Sequence, residues 1–132
     1  MANFTRVNLR DDVENMAARF GMPEGFEARF ARKPLALEKS GIGFYDLAPG
    51  VRIPFGHRHS EQEEIYVVVR GSARFKVEDE IVELRERDAL RVPGPVARAF
   101  EGGPDGAEIV AFGAPFTDNK DAELVSDFWS EG

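Results

Sequence analysis

The chain contains only two histidines, His57 and His59, and their spacing suits metal binding. Side chains at positions i and i+2 of a β-strand project from the same face, with their Cα atoms about 6.5–7 Å apart. Two imidazoles so placed can ligate one divalent ion at about 2.0–2.1 Å from each nitrogen. Glu64, at the start of the next apolar run, would supply a carboxylate as the third ligand. Two histidines and one carboxylate with open positions suit non-haem Fe(II), and also Mn, Ni, Cu or Zn.

The same stretch has a second interpretation that involves no metal. Neighbouring histidines in a turn are often only solvated, and charged residues are mostly exposed. Glu61, Glu63 and Glu64 could likewise form an acidic turn in water. The spacing alone leaves both interpretations open.

The residues that must position these side chains have the pattern of an all-β domain. Short apolar or alternating runs, separated by glycine, proline or charged clusters, extend from about Leu35 to Phe116. No pattern of helix length lies between them, which excludes parallel βαβ units and predicts an antiparallel sandwich or barrel. The predicted strands are Ile42–Leu47, Arg52–His57, Ile65–Val69, Ala73–Val77, Ile81–Arg85, Ala89–Val92, Ala97–Phe100 and Glu108–Phe112.

Aromatic residues at strand positions are expected to fill the interior of this domain. One of them, Tyr66, shares a strand face with Glu64 and carries a hydroxyl, so we also predict that it contacts a bound small molecule. The expected interior aromatic residues are Phe55, Tyr66, Phe75, Phe100 and Phe112.

Two flanking segments complete the chain. Between Asp11 and Gly21, apolar residues recur at i, i+3, i+4 and i+7, which predicts a short helix against the core. The next segment, 26–33, is expected to be irregular. The apolar pairs Leu124–Val125 and Phe128–Trp129 predict a C-terminal strap that packs back on the barrel or on a partner subunit. The predicted zones are N-terminal decoration (1–34), β-barrel (35–116) and C-terminal tail (117–132).

Composition narrows the function classes. The chain has 132 residues and no cysteine, which indicates one domain and excludes disulfide frameworks, zinc fingers and thiol nucleophiles. A formal net charge of −7 argues against a nucleic-acid partner, because it repels phosphate backbones. No apolar run reaches the roughly 18 residues that a membrane span requires, and the N-terminal residues lack the apolar region of a signal peptide. We therefore expect a cytoplasmic protein without a membrane partner.

The run from Gly50 to Gly71 resembles the first motif of the cupin superfamily. That motif has a glycine, His-x-His, four residues, a glutamate, six residues and a final glycine. Gly50 lies one residue further upstream than the motif places it, and the other positions are in register. The resemblance spans roughly residues 35–116 and implies a double-stranded β-helix, a jelly-roll barrel whose mouth carries a metal. The matching residues are His57, His59, Glu64 and Gly71.

The second cupin motif is only partly present. Asp88 and Pro93 match it, whereas Arg87 and Pro95 replace its two glycines. Arg98 stands where the motif has a histidine that serves as the fourth metal ligand. A guanidinium has no lone pair to offer a metal, so the four-ligand site is absent.

The sequence leaves three roles open for Arg98. It could pair with Glu64 and take the place of the metal, or it could clamp the carboxylate or phosphate of a substrate through its planar fork. It could also point outward as a surface residue. An inward guanidinium about 6 Å from a divalent ion would cost about 5 kcal/mol at an effective dielectric constant of 20, unless an anion offsets it.

Two functions of different classes follow from these residues. The first is a small metal-dependent oxygenase or isomerase, in which His57, His59 and Glu64 bind the metal while Arg98 and Tyr66 contact a small anionic molecule. The second is a non-catalytic ligand-binding cupin in which Arg98 pairs with Glu64 and no metal is bound. Apolar decoration at both ends of the chain also predicts a homodimer.

Overall fold

The structure, a computed structural model, describes residues 3–130. Within that range, eight strands form one curled antiparallel sheet. The arrangement confirms the all-β antiparallel fold expected from the strand pattern and the double-stranded β-helix implied by the cupin resemblance. The strands are β1 (Phe26–Phe30), β2 (Gly41–Leu47), β3 (Gly56–His59), β4 (Glu63–Val77), β5 (Glu80–Arg85), β6 (Ala89–Val92), β7 (Arg98–Ala114) and β8 (Ala122–Val125).

Two long strands, β4 and β7, form the centre of the sheet. Each joins two runs that the sequence analysis predicts as separate strands, because β4 and β7 pair with each other from one end to the other. Their register shifts near the middle, on either side of Gly71. Gly71 has a φ of +75°, and a Cβ atom there would lie 2.1 Å from the carbonyl oxygen of Gly106. The last glycine of the motif is therefore required because the backbones of β4 and β7 approach closely at the register shift.

The N-terminal flank differs from its prediction. The pattern that begins at Asp11 produces only a four-residue 3-10 helix, Ala17–Phe20, which ends where Gly21 adopts a left-handed conformation. The segment expected to be irregular contains β1, which pairs along its whole length with β2, and the one-turn helix α1 (Arg32–Leu35). Apolar and charged residues do alternate over Phe26–Phe30, so the pattern allowed a strand, and the basic composition of the whole segment was the misleading signal.

The C-terminal tail packs back on the barrel, as the two apolar pairs predict. β8 pairs antiparallel with β3. The Trp129 indole Nε1 donates a hydrogen bond to the carbonyl oxygen of Ile53 at 2.6 Å. The ring of Phe128 covers Gly56 so closely that a Cβ atom there would lie 2.6 Å from it. Both flanks thus add strands to the sheet, and the boundaries of the three zones stay a prediction.

An aromatic cluster fills the interior. Phe75 and Phe100 stack with ring centroids 5.1 Å apart, and the Tyr66 ring lies 4.9 Å from Phe75. Phe112 does not belong to this core: it is 45% exposed, because it alternates along β7 with the inward Ala111. Among the described residues, no helix has the length and apolar character needed to cross a bilayer.

Candidate metal centre

Two neighbouring strands bring the predicted ligands together. In β3, His57 and His59 project inward on either side of Arg58, and Glu64 projects inward near the start of β4. One ligand atom from each residue lies within 4.8 Å of the other two. The Nε2 atoms of His57 and His59 are 3.3 Å and 3.9 Å from Oε1 of Glu64. The geometry excludes the interpretation of these residues as a solvated turn.

The cluster lies at the boundary between the interior and solvent. The side chain of His59 is 3% exposed, whereas those of Glu64 and His57 are 15% and 20% exposed. The partly open edge is therefore on the His57 side.

Four polar groups converge on one oxygen of Glu64. The Tyr66 hydroxyl donates a hydrogen bond to Oε1 at 2.6 Å, and the same oxygen faces both histidines and the Arg98 guanidinium. Burial alone would raise the pKa of Glu64, but His57, Tyr66 and Arg98 together lower it to about 2. Glu64 is therefore ionised at neutral pH and able to serve as an anionic ligand.

Arg98 is wholly buried, which excludes the outward placement. It opens β7 directly opposite His57, and its Nη2 atom is 3.5 Å from Oε1 of Glu64. Its Nη1 atom donates hydrogen bonds to the carbonyl oxygens of Val96 and Gly94 at 3.1 Å and 3.2 Å. The guanidinium is thus held by backbone acceptors beside the carboxylate, while its Nε–H has no partner among residues 3–130.

Asp121, which the sequence analysis does not single out, completes the polar surroundings of the cluster. Its Oδ1 atom is 3.0 Å from Nδ1 of His59. Its Oδ2 atom accepts hydrogen bonds from the backbone N–H groups of Glu61 and Gln62, both at 2.9 Å. The Thr117 hydroxyl donates a further hydrogen bond to Oδ1. Burial alone would raise the pKa of Asp121, but these hydrogen bonds hold it well below its usual range.

No local signal identifies Asp121 in the sequence. It lies 62 residues from His59 along the chain, in a polar tail with several other acidic residues. Only the pairing of β8 with β3 brings it to the histidine. The useful signal was indirect: the apolar pairs of the tail predict that the segment returns to the barrel.

Tyr66 is beside the cluster, as the strand alternation predicts. Its side chain is 1% exposed, and its hydroxyl is directed to Glu64 rather than to an open cavity. Burial, followed by the charge of Glu64, raises the pKa of Tyr66 well above its ordinary value. Tyr66 is therefore neutral and donates a proton in its hydrogen bond to the carboxylate.

The donor set fits a divalent transition metal. Imidazole and carboxylate suit Fe, Mn, Ni, Zn and Cu, and the contact of His59 Nδ1 with a carboxylate is typical of a metal-ligating histidine. Arg98 opposes metal binding electrostatically, but the negatively charged Glu64 lies within 4 Å of the guanidinium and of both histidines and offsets part of that charge. The residues present therefore allow a metal with three protein ligands.

Comparison with known proteins identifies the same architecture. A family model described as "Cupin domain" matches residues 43–108. A search of curated proteins found no match. Among solved structures, a cupin protein from Bacteroides fragilis is 21% identical, with a TM-score of 0.69 over 100% of this chain and 92% of that one.

Two further solved structures show the same fold in different contexts. Oxalate decarboxylase from Bacillus subtilis is 21% identical, with a TM-score of 0.74 over 100% of this chain but only 35% of that one. A Streptomyces protein, PAC13, whose structure contains uridine, is 18% identical, with a TM-score of 0.72 over 96% of this chain and 93% of that one. At these identities the similarity shows the fold alone.

Proposed function

The chain belongs to the cupin family, and we propose that it binds a divalent transition metal through His57, His59 and Glu64, with a small anionic molecule beside it. One observation carries the proposal: two imidazole nitrogens and an ionised carboxylate oxygen lie within 4.8 Å of one another at a partly open edge of the barrel. A bound transition metal would supply a Lewis acid or a site for O₂. A site for O₂ would suit an oxygenase, and a Lewis acid would suit an isomerase.

The surrounding residues support an anionic ligand. The buried Arg98 guanidinium keeps a positive charge beside the cluster, and Glu64 supplies only one negative charge against it. A divalent ion would leave the site with an excess of positive charge, which a carboxylate or another small oxyanion would neutralise. Because the Arg98 fork already donates to backbone carbonyls, we propose that it acts mainly through its charge. Tyr66 would stabilise the Glu64 carboxylate through its hydrogen bond and, in this proposal, also contact the bound molecule.

Elemental analysis of protein purified without a metal-chelating tag tests this proposal. We expect about one transition metal per chain after supply of Fe, Mn, Ni, Zn or Cu, and a loss of metal in His57→Ala and Glu64→Gln. Glu63→Gln is the matched control, because Glu63 is the adjacent carboxylate but is 49% exposed and faces Arg91 on the outer surface. Absence of metal from the wild-type protein, or equal loss in the control, would contradict the proposal.

A specific contact favours a second candidate function. Arg98 and Glu64 are 3.5 Å apart, close enough for the guanidinium to neutralise the carboxylate in place of a metal. In that case the chain would be a non-catalytic ligand-binding module. The same elemental analysis separates the two functions, because this module would contain no metal under any supply.

A homodimer and a cytoplasmic location also remain proposals. Apolar residues are exposed on the outer face of the sheet, where Ile65 of β4 lies directly opposite Phe112 of β7. Their exposed fractions are 41% and 45%. A second copy of the chain would cover this pair, which supports the dimer.

A further inference from the structure

We infer that Asp121 is a positioning residue: it holds the imidazole of His59 in the tautomer that leaves Nε2 free to ligate a metal. This inference rests on the proposed metal site and adds to it a residue from the first part of the C-terminal strap, residues 117–125.

The two nitrogens of the His59 ring face different carboxylates. Nδ1 is 3.0 Å from Asp121, within hydrogen-bond distance, whereas Nε2 is 3.9 Å from Glu64, beyond it. The side chains of His59 and Asp121 are only 3% and 8% exposed, so their contact is shielded from bulk water. A neutral imidazole has one N–H, and the nearer acceptor places it on Nδ1.

The surroundings of Asp121 fix its carboxylate as a hydrogen-bond acceptor. Two backbone N–H groups, from Glu61 and Gln62, donate to Oδ2, and the Thr117 hydroxyl donates to Oδ1. A backbone amide can only donate, so these contacts require an oxygen facing the turn. They orient the carboxylate, and its other oxygen is left facing His59.

Backbone hydrogen bonds attach the strap to β3 beside His59. Asp121 directly precedes β8, and its carbonyl oxygen accepts a hydrogen bond from the Ser60 N–H at 3.1 Å. Next to it, Ala122 of β8 pairs with His59 of β3. The strap therefore contacts both the backbone and the ring of His59. If the strap were to leave β3, His59 would lose the carboxylate that faces its Nδ1 atom.

Asp121→Asn separates these roles, because the amide has nearly the same shape and only one acceptor oxygen. That oxygen must face the two backbone N–H groups, which places the amide NH₂ group against His59 Nδ1 and Thr117. The hydroxyl can rotate to accept, and His59 satisfies the new donor by moving its proton to Nε2. We therefore expect a folded variant whose metal-facing nitrogen carries a proton.

The readouts are ¹⁵N NMR of the two histidines in metal-free protein at alkaline pH and titration with Zn²⁺. We expect the Nδ1–H tautomer of His59 in wild type, the Nε2–H tautomer in Asp121→Asn, and an affinity for Zn²⁺ that is about tenfold to a hundredfold lower in the variant. Glu123→Gln is the matched control: it makes the same change in the strap at an exposed ion pair with Arg58, and both readouts should match wild type.

The results decide the inference independently of the proposed function. An Nε2–H tautomer in wild type overturns it whether or not the variant folds. An unchanged tautomer in folded Asp121→Asn overturns it as well. Where wild type binds Zn²⁺, an unchanged affinity in Asp121→Asn or an equal loss of affinity in Glu123→Gln also overturns it. If wild type binds neither Zn²⁺ nor Fe, Mn, Ni or Cu but the tautomer switches, the proposed metal function fails while the positioning of His59 by Asp121 stands.

Discussion

The two halves of β4 share one strand and one inward face but serve different purposes. In the second half, the inward residues Ala73 and Phe75 are 1% and 0% exposed and pack in an apolar interior. In the first half, Glu64 and Tyr66 project inward, and a polar cluster surrounds the carboxylate. The inward positions are even-numbered there and odd-numbered in the second half, because the register shifts on either side of Gly71. Alternation within each half thus fixes which side chains face inward, and the neighbouring strands determine whether the interior there is dry or polar.

Tyr66 lies at the border between the two regions. Its ring packs 4.9 Å from Phe75, and its hydroxyl donates to Glu64. The aromatic cluster therefore provides a rigid support for one hydrogen bond of the polar site. If this division is correct, substitutions on the two sides should affect different measurements, and three variants test it.

The largest effect is expected in the dry half. Phe75→Ala removes a fully buried ring that stacks on Phe100, and should lower the free energy of unfolding by about 3–5 kcal/mol. Metal affinity of the folded fraction should be unchanged. Denaturant unfolding and metal titration measure the two quantities. Ile81→Ala, at a 45% exposed position, is the control and should change the stability by less than about 1 kcal/mol. A large loss of metal affinity in Phe75→Ala would show that the two regions are not separable.

In the polar half, Arg98→His should change mainly the metal affinity rather than the stability. It removes a buried cation next to Glu64 and places an imidazole opposite His57, so metal affinity should rise by about a hundredfold or more. The protein should also become less stable, because the carbonyl groups of Gly94 and Val96 lose their donor.

Isothermal titration with a divalent metal measures the change in affinity. Arg91→His alters the charge equally at a 65% exposed site on the outer face, and should leave the affinity unchanged. Equal affinities in wild type and Arg98→His would contradict the placement of Arg98 at the metal site.

The smallest effect is expected at the border. Tyr66→Phe keeps the ring and removes only the hydrogen bond to a charged acceptor, which should lower the free energy of unfolding by about 1.5 kcal/mol. Tyr45→Phe is the control, since it removes the same hydroxyl from a tyrosine that packs on Phe100 of the same aromatic cluster, whereas the hydrogen bond to Glu64 comes from Tyr66. Denaturant unfolding of both variants makes the comparison, and equal changes would show that the Glu64 contact does not stabilise the fold.

Much of this organisation could be predicted from local patterns. The spacing of His57 and His59 on a strand, with Glu64 on the next, allowed the cluster that the structure brings together, and the cupin resemblance favoured it over a solvated turn. The position of β2 and β6 follows from short apolar runs with clear ends. The failures were also local: the alternation of β1 lies in a basic segment that was interpreted as irregular, and Phe112 is apolar but belongs to the outer face.

The sequence by itself determined which residue types were available and which alternate positions share a strand face, because those properties depend on near neighbours and on a period of two. Only the tertiary structure decided where Arg98 lies and which carboxylate reaches His59. Arg98 is buried because it opens β7 opposite His57, 41 residues away in the chain, with its guanidinium beside Glu64. Asp121 reaches His59 because the strap folds back across 62 residues of chain. Such contacts join segments that are distant in the sequence, and no short-range pattern encodes them.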